Sequence, residues 1–107
     1  MNAKSRFALM YAPQVRAHLH AIERKYYSLI RRTIETQLQF DPDVETRNKK
    51  PLRRPAGWGA DWEIRFGPDN RFRVFYATDR EHQAVNVLAI GVKKGNRLLI
   101  GGEEVSI

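Results

Sequence analysis

Residues 62–76 alternate with a period of two on both sides of a turn. Trp62-Glu63-Ile64-Arg65-Phe66 leads into Gly67-Pro68-Asp69-Asn70, and Phe72-Arg73-Val74-Phe75-Tyr76 follows. Two alternating runs flanking such a turn are the signature of a β-hairpin. Trp62, Ile64 and Phe66 share one face, and Phe72, Val74 and Tyr76 share one face of the partner strand. Burying both sets under one cover fixes the register, because a slip of one residue would turn every apolar side chain outward. That register places Arg65 directly opposite Arg73 on the other face, with Glu63 and Phe75 farther along. Two cations facing each other repel by about a few tenths of a kcal/mol. Glu63 can neutralise part of this, and a bound phosphate, gripped bidentately by planar guanidiniums, can neutralise the rest.

The remaining segments set this hairpin in an α+β frame. Arg6–Tyr11 reads as a first strand. Ala12-Pro13 breaks it, and Pro13 suits the first turn of a helix. Val15, Leu19, Ile22 and Tyr26, then Leu29, Ile30, Ile34 and Leu38, recur at helical spacing. They imply two helices, Pro13–Lys25 and Ser28–Gln39, with Ser28 as a cap; one long bent helix is the alternative. Asp41-Pro42-Asp43 ends the helical region. Residues 44–61 hold Pro51, Pro55, Gly57 and Gly59 without periodicity and read as a long loop. After the hairpin, Val85–Ile90 is a nearly continuous apolar strand, expected to be central, and Leu98–Ile100 adds a short edge. The order strand–helix–helix–antiparallel meander predicts a two-helix hairpin packed on one face of a small sheet. A chain of 107 residues fits one domain, 1–107.

Charge narrows the partner. Nineteen Lys and Arg against 12 Asp and Glu give +7, and the isoelectric point is near 10.1. Such a domain attracts polyanions, nucleic acid first. Lys49, Lys50, Arg53 and Arg54, with Arg47, crowd the long loop; Arg65 and Arg73 occupy the hairpin; Lys93, Lys94 and Arg97 follow the central strand. These three groups are expected to converge on the sheet face that the helices leave open. A single cluster would read as solvated surface charge, whereas three clusters and a facing arginine pair favour phosphate binding. The absence of cysteine excludes disulfides and thiolate chemistry. No apolar run reaches the roughly 20 residues that span a bilayer, and Met1–Arg6 has no leader pattern, so a cytoplasmic protein without a membrane partner is expected.

Other groups carry less. His18 and His20, two apart on a helix, face different directions and make a poor metal pair, and His82 falls in a turn. No Asp or Glu pair has metal-site spacing. Gly101-Gly102-Glu103-Glu104 reads as a tail. Trp58, between Gly57 and Gly59, either stacks a base or pins the loop to the core. Tyr26 and Tyr27 divide between core and surface.

Asn48-Lys49-Lys50-Pro51-Leu52-Arg53, Trp62-Glu63-Ile64-Arg65, Arg71-Phe72-Arg73-Val74-Phe75-Tyr76 and Val87-Leu88-Ala89-Ile90-Gly91 with Lys93 following resemble RelE/ParE-family toxins of type II toxin–antitoxin systems. The likeness spans nearly the whole chain. It implies a toxin restrained by a cognate antitoxin protein whose acidic or amphipathic segment wraps it. It also implies one of two activities, cleavage of mRNA in the ribosomal A site or poisoning of DNA gyrase. In the ribonuclease members the ribose 2′-OH attacks the adjacent phosphate without metal or cofactor, aided by cations where negative charge builds up. Carried over by position, Arg65, Arg73 and Lys93 match the catalytic cations, and Lys49, Lys50 and Arg53 match the basic loop in character.

One feature of the ribonucleases is missing. They often place a tyrosine after the last cation, where this chain reads Arg97-Leu98-Leu99-Ile100. The general acid and base are therefore open: a lysine crowded by arginines, Lys93 or Lys50, is one option, and Glu63 serves as base or as counter-ion, the latter favoured. The leading expectation is a ribosome-dependent mRNA endonuclease. A gyrase inhibitor and a non-catalytic family member are the alternatives.

Overall fold

The computed structural model describes residues 6–54 and 56–106. Met1–Ser5, on which the reading of the N-terminus largely falls, lie outside the described residues, as do Pro55 and Ile107. The described elements are β1 (Ala8–Tyr11), α1 (Val15–His20), a 3-10 turn (Arg24–Tyr26), α2 (Tyr27–Leu38), β2 (Lys49–Pro51), β3 (Trp62–Phe66), a second 3-10 turn (Pro68–Asn70), β4 (Phe72–Asp79), β5 (Ala84–Lys94), β6 (Arg97–Ile100) and β7 (Glu103–Glu104). The helical segment is two helices, not one bent helix. The first is shorter than the periodicity implies, because Glu23 adopts an extended conformation (ψ 136°) and interrupts the pattern. The second has the expected 12 residues, shifted by one toward the N-terminus. Ser28 does not cap α2: Tyr26 holds that position, with no side-chain bond.

The strands form one sheet in the order β2-β3-β4-β5-β6-β7. All of these neighbours are antiparallel. β1 departs from the meander by pairing in parallel with Ala84–Val87 of β5. Since β4 runs along one edge of β5, β1 and β6 share the other edge and leave Leu88–Ile90 between them. Helix α1 fills that gap. Gln14 Nε2 donates to Leu88 O at 3.1 Å, and His18 Nδ1 accepts from the Ile90 N–H at 3.2 Å. Strand polar groups that would otherwise be unpaired are satisfied by two side chains one helical turn apart.

The β3–β4 register is the expected one: Trp62 faces Tyr76, Ile64 faces Val74, and Arg65 faces Arg73. The turn closes with Asn70 N–H donating to Gly67 O at 3.0 Å. Gly67 is required there, since φ is +82° and an added Cβ would lie 2.5 Å from Phe72 Cδ2. Toward the helices, Ile64, Phe66, Phe72, Val74, Tyr76, Val85, Val87 and Ile90 bury against Val15, Ile22, Ile30, Ile34 and Leu38. Tyr27 ties the two helices together by donating from its hydroxyl to Leu19 O at 2.7 Å.

A smaller core lies on the other face. Ala56, Ala60, Phe75 and Ala89 are buried together, flanked by Leu52, Leu88, Leu98 and Ile100. The register shift opposite Phe75/Tyr76 leaves Leu88 as an extra residue in β5. This bulge explains why Val85–Ile90 reads as continuously apolar: β5 is covered by the helices on one side and by the 52–60 loop on the other. The sheet face that the helices leave open is therefore half roofed by the loop. At the C-terminal end, Gly101 and Gly102 take φ of +63° and +83° and turn the chain into β7, so this segment is a hairpin rather than a tail. Among the described residues, no helix is long and apolar enough to cross a membrane.

Candidate phosphate-binding site

On the half of the open face that the loop does not roof, strand pleating presents Glu63 and Arg65 from β3 and Arg73 from β4. Glu63 is only 7% exposed. Its Oε1 accepts from Arg65 Nε at 2.7 Å, and its Oε2 lies 3.6 Å from Arg73 Nη1. Arg73 Nε donates to Asn70 O at 3.1 Å. One carboxylate thus sits between two guanidiniums and fixes both, but cannot neutralise both. Burial lowers the pKa of Arg73, Glu63 raises it, and the neighbouring Arg65 lowers it again. Arg73 stays charged, since arginine has no accessible neutral form at ordinary pH.

The pair opens into a cavity of about 350 Å³ that is also lined by Lys93, Asn96, Leu98 and Ser106. Lys93 reaches it because β5 continues past the arginines, with Gly91 opposite Arg73 and Lys93 two residues farther along. Gly91 leaves this approach open: a Cβ there would come within 3.0 Å of Leu98 Cδ1 and 3.1 Å of Leu99 O. Three cations and one carboxylate therefore surround one concavity. Asn48 braces the site from behind. The Arg65 N–H donates to Asn48 O at 3.0 Å, and Asn48 Nδ2 donates to Arg65 O at 2.9 Å.

The structure sorts the nine expected cations. Arg65, Arg73 and Lys93 come together. Lys50, opposite Glu63 in the β2–β3 register, has the same face but is paired with Glu45 at 3.1 Å. Arg53 and Arg54 are exposed in the loop, with no hydrogen bond or ion pair among the described residues. Lys49 does not belong to the site. It is 4% exposed, and its ammonium donates to Gln37 O at 3.2 Å and Asp41 O at 2.8 Å. A cation there closes the C-terminal end of α2, where carbonyls lack partners and the helix dipole is negative. Lys94 and Arg97 do not join the site either. They pair with each other in register, on the opposite pleat from Lys93 and Leu98. Lys94 lines a separate cavity with His18 and Val92, and Arg97 pairs with Glu104 at 2.9 Å.

Asn96 and Ser106 have no signal in the sequence, and Asn48 enters it only within the segment that carries the resemblance, since each gains its place at the site from the folded register. Asp61 is a different omission: Oδ1 is buried without a partner, and burial raises the carboxyl's pKa. It does not line the cavity, so it carries no role there. Asp79, Glu81 and His82 bring ligand-type atoms within 4.8 Å of one another, a cluster the residue spacing does not suggest. It lies at the end of β4 and in the exposed turn that follows, where Asp79 and His82 already bond to each other at 2.8 Å.

No family model matches the sequence, and no curated protein matches it. Solved structures do resemble it. A chain of the RelBE2 toxin–antitoxin complex from Mycobacterium tuberculosis superimposes with a TM-score of 0.68, at 22% identity, over 87% of this chain and 98% of that one. A chain of the archaeal RelE–RelB complex from Pyrococcus horikoshii OT3 gives 0.59, at 18% identity, over 85% and 98%. Both likenesses run over most of this chain and nearly all of the other, and the chain has a RelE-like fold.

Proposed function

We propose that this chain is the toxin of a type II toxin–antitoxin pair, one domain acting in the cytoplasm as a ribosome-dependent mRNA endonuclease. The observation that carries the reading is the meeting of Arg65, Arg73 and Lys93 around one cavity, with Glu63 holding the two arginines. With Arg65 Nε and Arg73 Nε engaged by the protein and Arg73 Nη1 near Glu63, the outer nitrogens of Arg65 and Nη2 of Arg73 are the ones left for a phosphate. In the reaction the ribose 2′-oxygen forms a bond to phosphorus, the bond to the 5′-oxygen breaks, and a 2′,3′-cyclic phosphate and a 5′-hydroxyl result. The 2′-hydroxyl loses a proton and the leaving oxygen gains one. The added negative charge on the phosphoryl oxygens is met by cations already in place, the largest electrostatic contribution such a site can make. Lys93 places an ammonium in the cavity, where it can donate to the leaving oxygen; Glu63, tied to both arginines, acts as their counter-ion.

The antitoxin reading is supported by the fold shared with two toxin–antitoxin complexes. An apolar cleft of about 280 Å³ lined by Tyr11, Leu19, Tyr27, Ile30 and Ile34 suits the apolar side of an amphipathic segment. The +7 charge suits an acidic one.

Inducing the chain in cells and mapping mRNA 5′ ends tests the activity. Cuts within translated codons, lost in Arg65→Ala and Arg73→Ala variants that retain their circular dichroism, are expected. Intact mRNA with DNA-damage signalling and trapped gyrase–DNA complexes would reassign the chain as a gyrase inhibitor. Intact mRNA and no growth arrest would leave a non-catalytic binding protein.

A further inference from the structure

Trp58 is an unusual use of a tryptophan. It is 39% exposed, yet its loop is tightly closed. Ala56 and Ala60 on either side are buried, the Ala56 N–H donates to Ala60 O, and the Gly59 N–H donates to Ala56 O, both at 2.8 Å. Gly59 has φ +100°, which lets the chain reverse over so short a span. The indole meets Phe75 edge to face, with ring centroids 5.6 Å apart and planes at 90°. Phe75 is fully buried, so the indole is held from below while much of its surface stays open to solvent.

What lies beside it gives this exposure a meaning. Phe75 pairs in register with Glu63, the carboxylate that fixes Arg65 and Arg73. Adjacent strands are about 4.8 Å apart, and residues two apart on one strand are about 7 Å apart. The indole over Phe75 is therefore one strand from Glu63 and one same-face position from Arg73. That separation matches the reach from a phosphate to a base of the same or the next nucleotide. Arg53 and Arg54 are exposed and directly follow Leu52, which lines the same cavity as the arginines.

We propose that Trp58 is a stacking platform for a nucleobase of single-stranded RNA whose phosphate is held by Arg65, Arg73 and Lys93. The inference rests on the proposed function and adds a base contact to a site otherwise built only for the backbone. Stacking of a base on an aromatic ring tolerates any base, since each has a π-face.

Two tryptophans are present, Trp58 and Trp62, and Trp62 lies on the opposite face, stacked on Tyr76 at 6.3 Å. Trp58→Phe leaves Trp62 as the emitter, so the difference between the parent chain and this variant isolates Trp58. Titrating the full chain with a 2′-O-methyl oligouridine, which cannot be cleaved, should quench emission, whereas inorganic phosphate should not. Trp58→Phe should bind with little loss of affinity but without the quench, and Trp58→Ala should bind about 5- to 150-fold more weakly, the range for one stacked base. A quench that persists in Trp58→Phe would overturn the proposal, as would unchanged affinity in Trp58→Ala. If Trp58→Ala does not fold, the Trp58→Phe titration still decides. Binding lost in Arg65→Ala but retained in Trp58→Ala would remove the platform and keep the phosphate site. An unmodified chain that binds no oligonucleotide even at low salt would remove both.

Discussion

Glu63 is the residue on which the geometry of the site turns, since it lies 2.7 Å from one guanidinium and 3.6 Å from the other at nearly full burial. Replacing it with alanine leaves Arg65 and Arg73 opposed with no counter-ion. Glu63→Ala should lower stability by about 1–2 kcal/mol in urea unfolding, a moderate loss because Arg65 is half exposed and solvent screens part of the pair. In an Arg65→Ala background the same change should cost less, because the two residues share one interaction. Equal costs in both backgrounds would show that Glu63 does not bridge the pair. Lys49 makes the converse case. Lys49→Met should destabilise the fold by about 1–3 kcal/mol, the cost of stranding buried carbonyls, while oligonucleotide affinity stays unchanged; weakened RNA binding in a fully stable variant would return Lys49 to the site. The arginine pair was legible because alternation in β3 and β4 dictates which side each residue takes. Lys49 was not, because its side follows from β2, a three-residue strand of Lys-Lys-Pro that has no strand signature of its own.

Elements show the same division between local and distant causes. The hairpin's register could be read to the residue, since its apolar alternation, its turn chemistry and Gly67 all agree, although β4 runs three residues farther than its pattern, to Asp79. The parallel pairing of β1 with β5 could not, because it is set by which strand edge remains free after β4 has docked. That leftover edge gives α1 a task a helix pattern does not announce, with His18 Nδ1 accepting the Ile90 N–H. Burial lowers the His18 pKa from its ordinary value of 6.5. Only the neutral ring has a lone pair at Nδ1 with which to accept that N–H. As pH falls through about 6.5, the unfolded chain takes up a proton that the folded chain resists, so this contribution is complete above 6.5 and is lost below it. The urea midpoint should therefore fall between pH 7.5 and pH 5. His18→Asn, whose Oδ1 accepts without titrating, should flatten that part of the dependence. An identical pH profile in the variant would mean that the edge contact is not sensitive to protonation.

At the scale of the whole molecule, the +7 charge is less informative than its distribution. Lys50, Arg80 and Arg97 each have an acidic partner, and Lys49 is spent on carbonyls. The positive charge left uncompensated near the cavity comes from Arg65, Arg73 and Lys93 less Glu63, together with Arg53 and Arg54 on the loop. That is a net of about four, and single-stranded RNA loses about 0.7 counterions for each phosphate neutralised. A plot of log affinity against log salt for a 2′-O-methyl oligouridine should therefore have a slope near −3. Removing both loop cations, Arg53→Ala with Arg54→Ala, should bring it to about −1.5 with no change in the unfolding midpoint, because both side chains are exposed and have no hydrogen bond or ion pair among the described residues. If the double variant keeps the full slope, the loop does not follow the strand, and the charges that matter lie on another face. A flat response in the parent chain would be more serious: it would leave the arginines holding Glu63 for stability alone, with no polyanion to meet.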